Sequence, residues 1–272
     1  MQLLGCDFSS SPSKRKAIVL AWGHWNKQRV VLSRLERCIS LQEFSTKLQT
    51  PGPWVGGFDL PFGLPRELIT QLSWPTDWVS CMKHFAQLTR ENIRDDFAAF
   101  CNARPVGGKF AHRATDGPAG SSPSMKWVNP PVAFMMHAGV PLMLQAHLHF
   151  PGLHEGDRSR VALEAYPGLW ARRILGARSY KSDSAAKQTP ERFIARKDLL
   201  HALVWGHDDL TVRLQLSSAQ QDALLADASG DSLDAVLCMM QAAWAEQQHQ
   251  QGHAMYGLPE DMDALEGWIL NA

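Results

Sequence analysis

Three short apolar runs in this chain each carry an acid where a strand interior or strand end is expected. Asp7 closes Gln2-Leu3-Leu4-Gly5-Cys6-Asp7, and Asp59 closes Trp54-Val55-Gly56-Gly57-Phe58-Asp59 ahead of Leu60-Pro61-Phe62-Gly63-Leu64-Pro65. Glu164 stands in Val161-Ala162-Leu163-Glu164-Ala165-Tyr166-Pro167. Each run has strand length and is bounded by Gly or Pro. A fourth acid, Asp234, follows Asp231 by three positions on a late helix. Buried positions rarely tolerate unpaired acids. If the strands lie side by side the acids converge, and like charges held that close need a cation to stay ionised. Mg²⁺ or Mn²⁺ is the expected cofactor, because hard cations take oxygen ligands.

A chain of 272 residues, 45% of them hydrophobic, can bury a sizeable core as one large domain or two small ones. Its 27 basic and 27 acidic residues cancel, so net charge argues for neither nucleic acid nor a membrane surface. Local charge says more. Between Glu164 and Leu200 Lys and Arg outnumber acids eight to four, whereas from Ser217 onward there are nine acids and no Lys or Arg. One face can attract a polyanion while another repels it, although two solvated helix faces of opposite sign give the same pattern. The five cysteines are odd in number and widely spaced, which predicts reduced thiols in a cytoplasmic protein. No apolar run approaches the ~18 residues of a membrane span, so a soluble, unexported protein is expected.

Along the chain, the run at Asp7 is followed by a polar loop from Phe8 to Lys16 and by β-rich runs at Ala17 to Trp25 and Arg29 to Leu35. These predict a three-stranded antiparallel meander. Ser40 caps a short helix through Leu48, with Glu43 as its capping-box partner, and Pro51-Gly52-Pro53 leads into the Asp59 strand. The order β-β-β-α-β is the first half of an RNase H-like α/β fold. Helical patterns follow at Asp77 to Phe100 and Pro131 to His149, separated by a Gly-, Ser- and Pro-rich stretch at 105–130 read as an ordered functional loop or a lid. After the Glu164 strand come helices at Leu169 to Leu175, Pro190 to Trp205, Ser218 to Ala226 and Asp231 to Gln250, then a short strand at Gly267 to Leu270. The whole reads as one RNase H-like domain over 1–272: a mixed sheet of meander plus parallel strands, flanked by helices, with a large helical insertion at 65–153.

The chain resembles the predicted RNase H-like nucleases grouped as domain-of-unknown-function family 429. The resemblance rests on Gly5-Cys6-Asp7, Phe58-Asp59-Leu60-Pro61-Phe62-Gly63-Leu64-Pro65, Glu164-Ala165-Tyr166-Pro167, Asp231-Ser232-Leu233-Asp234-Ala235 and Glu266-Gly267-Trp268-Ile269, in that order over nearly the whole chain. Cys6 departs from the Val or Ile more usual there and keeps strand character. Between Cys101 and Val140 the match is confined to His112-Arg113-Ala114-Thr115-Asp116. The resemblance implies a metal-dependent nuclease in which Asp7, Asp59 and the Asp231/Asp234 pair bind two divalent ions. Asp7 would bridge them, and Glu164 would be a further ligand or would position the attacking water.

Each acid also has a structural reading. Asp7 and Asp59 can start turns before Ser9-Ser10-Ser11 and Pro61, Glu164 can pair with Arg172 or Arg173, and Asp231 can cap its helix with Asp234 completing a capping box. Positions i and i+3 nevertheless share one helix face. The basic residues Lys126, Arg172, Arg178 and Lys181 are the expected contacts to nucleic-acid phosphate. His112, the pair His147/His149, and His207 with Asp208 and Asp209 lack metal-ligand spacing. Trp22, Trp25, Trp54 and Trp205 read as core, leaving Trp74 and Trp127 for base stacking. Two rival functions remain at this level. One is a non-catalytic nucleic-acid or protein-binding module on the same fold. The other is phosphotransfer of the actin and sugar-kinase type, on the strength of Asp7-Phe8-Ser9-Ser10-Ser11-Pro12-Ser13-Lys14, although such enzymes usually need two copies of the fold.

Overall fold

The computed structural model describes residues 1–208 and 210–272, so Asp209 lies outside the described residues. Seven strands form one sheet in the order β5-β6-β4-β1-β2-β3-β7. The meander is present: β1 (Gln2–Asp7) pairs antiparallel with β2 (Ile18–Asn26), which pairs antiparallel with β3 (Arg29–Cys38). On the other side of β1, β4 (Trp54–Asp59) lies parallel, and β6 (Asp157–Glu164) lies parallel to β4. Two edge strands, β5 (Leu148–His149) and β7 (Arg213–Gln215), are too short to show a period in the sequence. The strand expected at Gly267–Leu270 joins no ladder. Instead the Leu270 N–H donates to the Glu164 carbonyl at 2.9 Å, which fastens this segment to the end of β6.

Alternation along the strands assigns their side chains to two faces. Leu4, Cys6, Trp54 and Phe58 face a core shared with α1 (Leu41–Leu48), α2 (Arg66–Gln71), α3 (Trp78–Gln87), α4 (Arg90–Asn102) and α6 (Val132–Gln145). Leu3, Val19, Ala21 and Val30 face the opposite core. That core is shared with α7 (Pro167–Leu175), α8 (Pro190–Trp205), α9 (Ser218–Ala226) and α10 (Asp231–Gln250). Caps fix several boundaries. The Ser40 hydroxyl accepts from the Glu43 N–H at 3.1 Å, and Glu43 accepts from the Ile39 N–H rather than from Ser40, at 2.8 Å. Ser217 and Gln220 form a full capping box at α9.

The stretch 105–130 includes α5 (Asp116–Ala119) and buries Arg113 against Glu164 at the end of β6. Trp22 and Trp54 are buried as expected, but Trp205 is 64% exposed. It is the last residue of α8, where its ring lies tilted against that of His201 at 6.3 Å rather than in the core. Trp74 and Trp127 both pack against Phe97, so neither is an open platform for a base. All five cysteines are buried and unbridged. No described helix is long and apolar enough to cross a membrane.

Candidate functional site

Asp7 and Asp59 are register partners on β1 and β4. In a parallel pair such partners project from the same face, and neighbouring strands lie about 4.8 Å apart, so the two carboxylates stand side by side. The helix that covers them sits unusually low. A Cβ on Gly5 would fall 1.9 Å from the Ala235 carbonyl oxygen, and one on Gly57 would fall 2.4 Å from that of Cys238. Two residues without side chains thus let the α10 backbone rest on β1 and β4. This seats the first turn of α10, with Asp231 and Asp234, at the ends of the two strands that carry Asp7 and Asp59.

Asp7 is 9% exposed, Asp231 and Asp234 are buried, and Asp59 is half-buried. Burial, then the charges of Asp234, Asp59 and Asp231, hold the Asp7 carboxyl well above the usual carboxylate range. Burial and the Asp234 charge push Asp59 up to about 7. Burial also raises Asp234, against the opposing pull of Lys181 and Tyr180.

Partners divide the four acids into two pairs. Asp234 accepts from the Tyr180 hydroxyl through Oδ1 and from Lys181 Nζ through Oδ2. Asp231 Oδ1 accepts from Lys16 Nζ at 2.7 Å, and Lys16 also reaches Asp183 at 3.2 Å. Among the described residues, neither the Asp7 nor the Asp59 carboxylate takes a hydrogen bond or an ion pair. Asp231 does not cap α10 as its structural reading supposed. Gly230 is the N-cap, and the Ser232 N–H of the first turn is satisfied by Asp227 at 2.9 Å.

Glu164 is not with this group. Its register partner is Phe58, so alternation turns it to the face opposite Asp59. There Arg113 grips both of its oxygens at 2.8 and 2.7 Å, and the Phe62 N–H donates to it at 2.8 Å. The expected pairing with Arg172 or Arg173 is corrected accordingly. Burial raises the Glu164 carboxyl, with Arg113 opposing. The same guanidinium bonds Asp116 at 3.0 Å, so one buried Arg joins two buried acids.

Two cavities open on Asp59. One of about 90 Å³ runs past Arg113, Glu164, Tyr166, Ser121 and Ser122. The other, of about 220 Å³, is lined by Tyr166, Arg172, Arg178, Tyr180 and Lys181. Three of the four expected phosphate contacts therefore border one groove that leads to Asp59, while Lys126 lines neither cavity. Arg172 lies over the Tyr166 ring at 5.4 Å and donates to the Ala119 carbonyl, and Arg178 bonds Asp198 at 2.6 Å.

Lys16, Tyr180 and Arg113 are the members of the site that sequence reasoning passed over. Lys16 and Tyr180 sit in polar stretches with no periodicity. Arg113 carries a weak signal in its i, i+3 spacing to Asp116.

Among the described residues no three His, Cys, Asp or Glu side chains are already gathered around one ion-sized point. The donor chemistry nonetheless suits a hard divalent cation: carboxylate oxygens only, with two crowded side by side and lacking a donor among the described residues. No family model, no curated protein and no solved structure matches this chain.

Proposed function

We propose that the chain is a metal-dependent phosphodiester hydrolase acting on nucleic acid, on an RNase H-like frame with a helical insertion at 65–153. The β-β-β-α-β order, with β4 parallel beside β1, supports that frame. So does the placement of Asp7, Asp59 and Asp234 on first strand, fourth strand and C-terminal helix, as the resemblance to family 429 implies. Fold alone does not assign chemistry. The observation that carries the reading is the in-register Asp7/Asp59 pair, which is crowded, buried at Asp7 and half-buried at Asp59, and without a donor among the described residues.

Asp7 and Asp59 would hold Mg²⁺ or Mn²⁺, with Asp234 and Asp231 beside them. A bound ion supplies Lewis acidity and makes water a competent nucleophile at neutral pH. The rest falls to the chain. Arg172 and Arg178 give the groove its positive charge and draw the phosphate backbone toward Asp59. The Tyr166 ring and the Arg172 guanidinium stacked on it form one flat wall of that groove.

Mn²⁺ titration calorimetry on wild type and Asp7→Asn, with a cleavage screen over single- and double-stranded DNA and RNA, tests the proposal. Wild type should bind Mn²⁺ and cut at least one substrate, while Asp7→Asn, which keeps the shape and removes the charge, should do neither. A wild type that ignores Mn²⁺ overturns it. One observation favours a second reading, a non-catalytic binding module. Lys181 and Lys16 already neutralise Asp234 and Asp231, as a purely structural network would require. That reading predicts nucleic-acid or protein binding indifferent to EDTA.

A further inference from the structure

The two lysines in the acid cluster are not equivalent. Both side chains are partly exposed, 43% for Lys16 and 41% for Lys181, and they differ in how they are held: Lys16 divides its ammonium between buried Asp231 and exposed Asp183. Lys181 is built in. Its ammonium and the neighbouring Tyr180 hydroxyl occupy both oxygens of Asp234, which is 0% exposed. The backbone that carries it is tied to the loop entering α10. The Ser182 N–H donates to the Ala228 carbonyl at 3.2 Å, and the Gln188 amide donates to the same oxygen at 3.1 Å.

Its aliphatic stem lies across Gly230. A Cβ there would stand 2.7 Å from Lys181 Cβ, and the positive φ of 80° disfavours any other residue. A lysine held this way has already lost the rotamer freedom that binding to a carboxylate normally costs.

Charge points the same way. Asp7, Asp59, Asp231 and Asp234 carry four negative charges when ionised, and Lys16 and Lys181 return two. The remainder is what one divalent ion supplies, and it resides on the two acids that have no donor among the described residues. We propose that the Lys181 ammonium is a resident cation of this cluster. It stands on Asp234 where a second divalent ion would otherwise bind, so that the folded chain takes one divalent ion, at Asp7 and Asp59. The inference rests on the metal-dependent reading above and replaces the two-ion arrangement implied by the resemblance. In hydrolysis a fixed ammonium opposite the ion is a positive charge already in place where negative charge develops on phosphate oxygens.

Mn²⁺ titration calorimetry, with electron paramagnetic resonance to detect spin coupling between neighbouring Mn²⁺ ions, reads the number bound. Wild type should take one ion and show no coupled signal. Lys181→Met, which keeps the stem and removes the charge, should take two and show coupling. In wild-type protein, saturation with Mg²⁺ should leave the rate of reductive methylation at Lys181 no higher than in EDTA, a measurement that needs no variant to fold.

Two coupled ions in wild type, faster methylation of Lys181 upon Mg²⁺ loading, or a folded Lys181→Met that still binds a single ion would each overturn the inference and leave the hydrolase reading standing. No ion in wild type would instead remove the metal reading and this inference with it.

Discussion

Around the Arg113 guanidinium stand both oxygens of Glu164, one of Asp116 and the Glu266 carbonyl, all within 3.0 Å. Removing one member of a buried ion network strands the others as uncompensated charges, which costs more than the intact network contributes. Arg113→Met should therefore lower unfolding free energy by about 3–5 kcal/mol in urea titration. Adding Glu164→Gln should restore part of that loss, and strictly additive losses would contradict the network. Asp7 and Asp59 were legible beforehand because each is an acid at the end of an apolar run next to Gly or Pro. The cations around the site were not. Arg113 meets Glu164 across 51 positions and Lys16 meets Asp231 across 215, and no local pattern encodes a pairing at such separations.

At the scale of elements, the site depends on how closely α10 approaches β1. Gly5→Ala would drive a methyl group into the Ala235 carbonyl and the Met239 amide, backbone atoms that cannot rotate away. Lifting α10 should cost about 1–3 kcal/mol or more, as overpacking does. It should also weaken Mn²⁺ binding, because Asp234 and Asp231 retreat from Asp7 and Asp59. Thermal melts together with calorimetry check both effects, and an unchanged Mn²⁺ affinity would detach the ion from the helix. The sequence pattern placed the bounds of α8, α9 and α10, and the structure shows what sets their starts: Pro190 in the first, a capping box of Ser217 and Gln220 in the second, and Gly230 rather than Asp231 in the third. It hid β5 and β7, whose two and three residues cannot display alternation. It also left Glu164 among the other acids, because which face a strand residue takes depends on a register that only pairing fixes.

For the molecule as a whole, the crowded carboxyls link stability to pH. A carboxyl whose pKa is raised on folding keeps protons that the unfolded chain has released, so its contribution is present below the ordinary value and is lost as pH rises through the folded one. For Asp59 that window runs from 3.8 to about 7, and Asp7 shifts in the same direction. Metal-free protein should lose stability across this window, and Mg²⁺ should flatten the loss by binding only the folded state. The low seating of α10 on Gly5 also has a kinetic side. Asp7 and Asp59 meet within the first 59 residues, whereas the charge that most raises both arrives with Asp234, more than 200 positions after Asp7. Contacts closed over so long a stretch form late. Interactions absent from the folding barrier act on unfolding alone. In stopped-flow denaturant jumps, raising the pH toward 7 without metal should speed unfolding and leave refolding unchanged, whereas a pH effect on refolding would place α10 earlier. Mg²⁺ should slow unfolding, so that the ion sets how long α10 stays down rather than whether it lands.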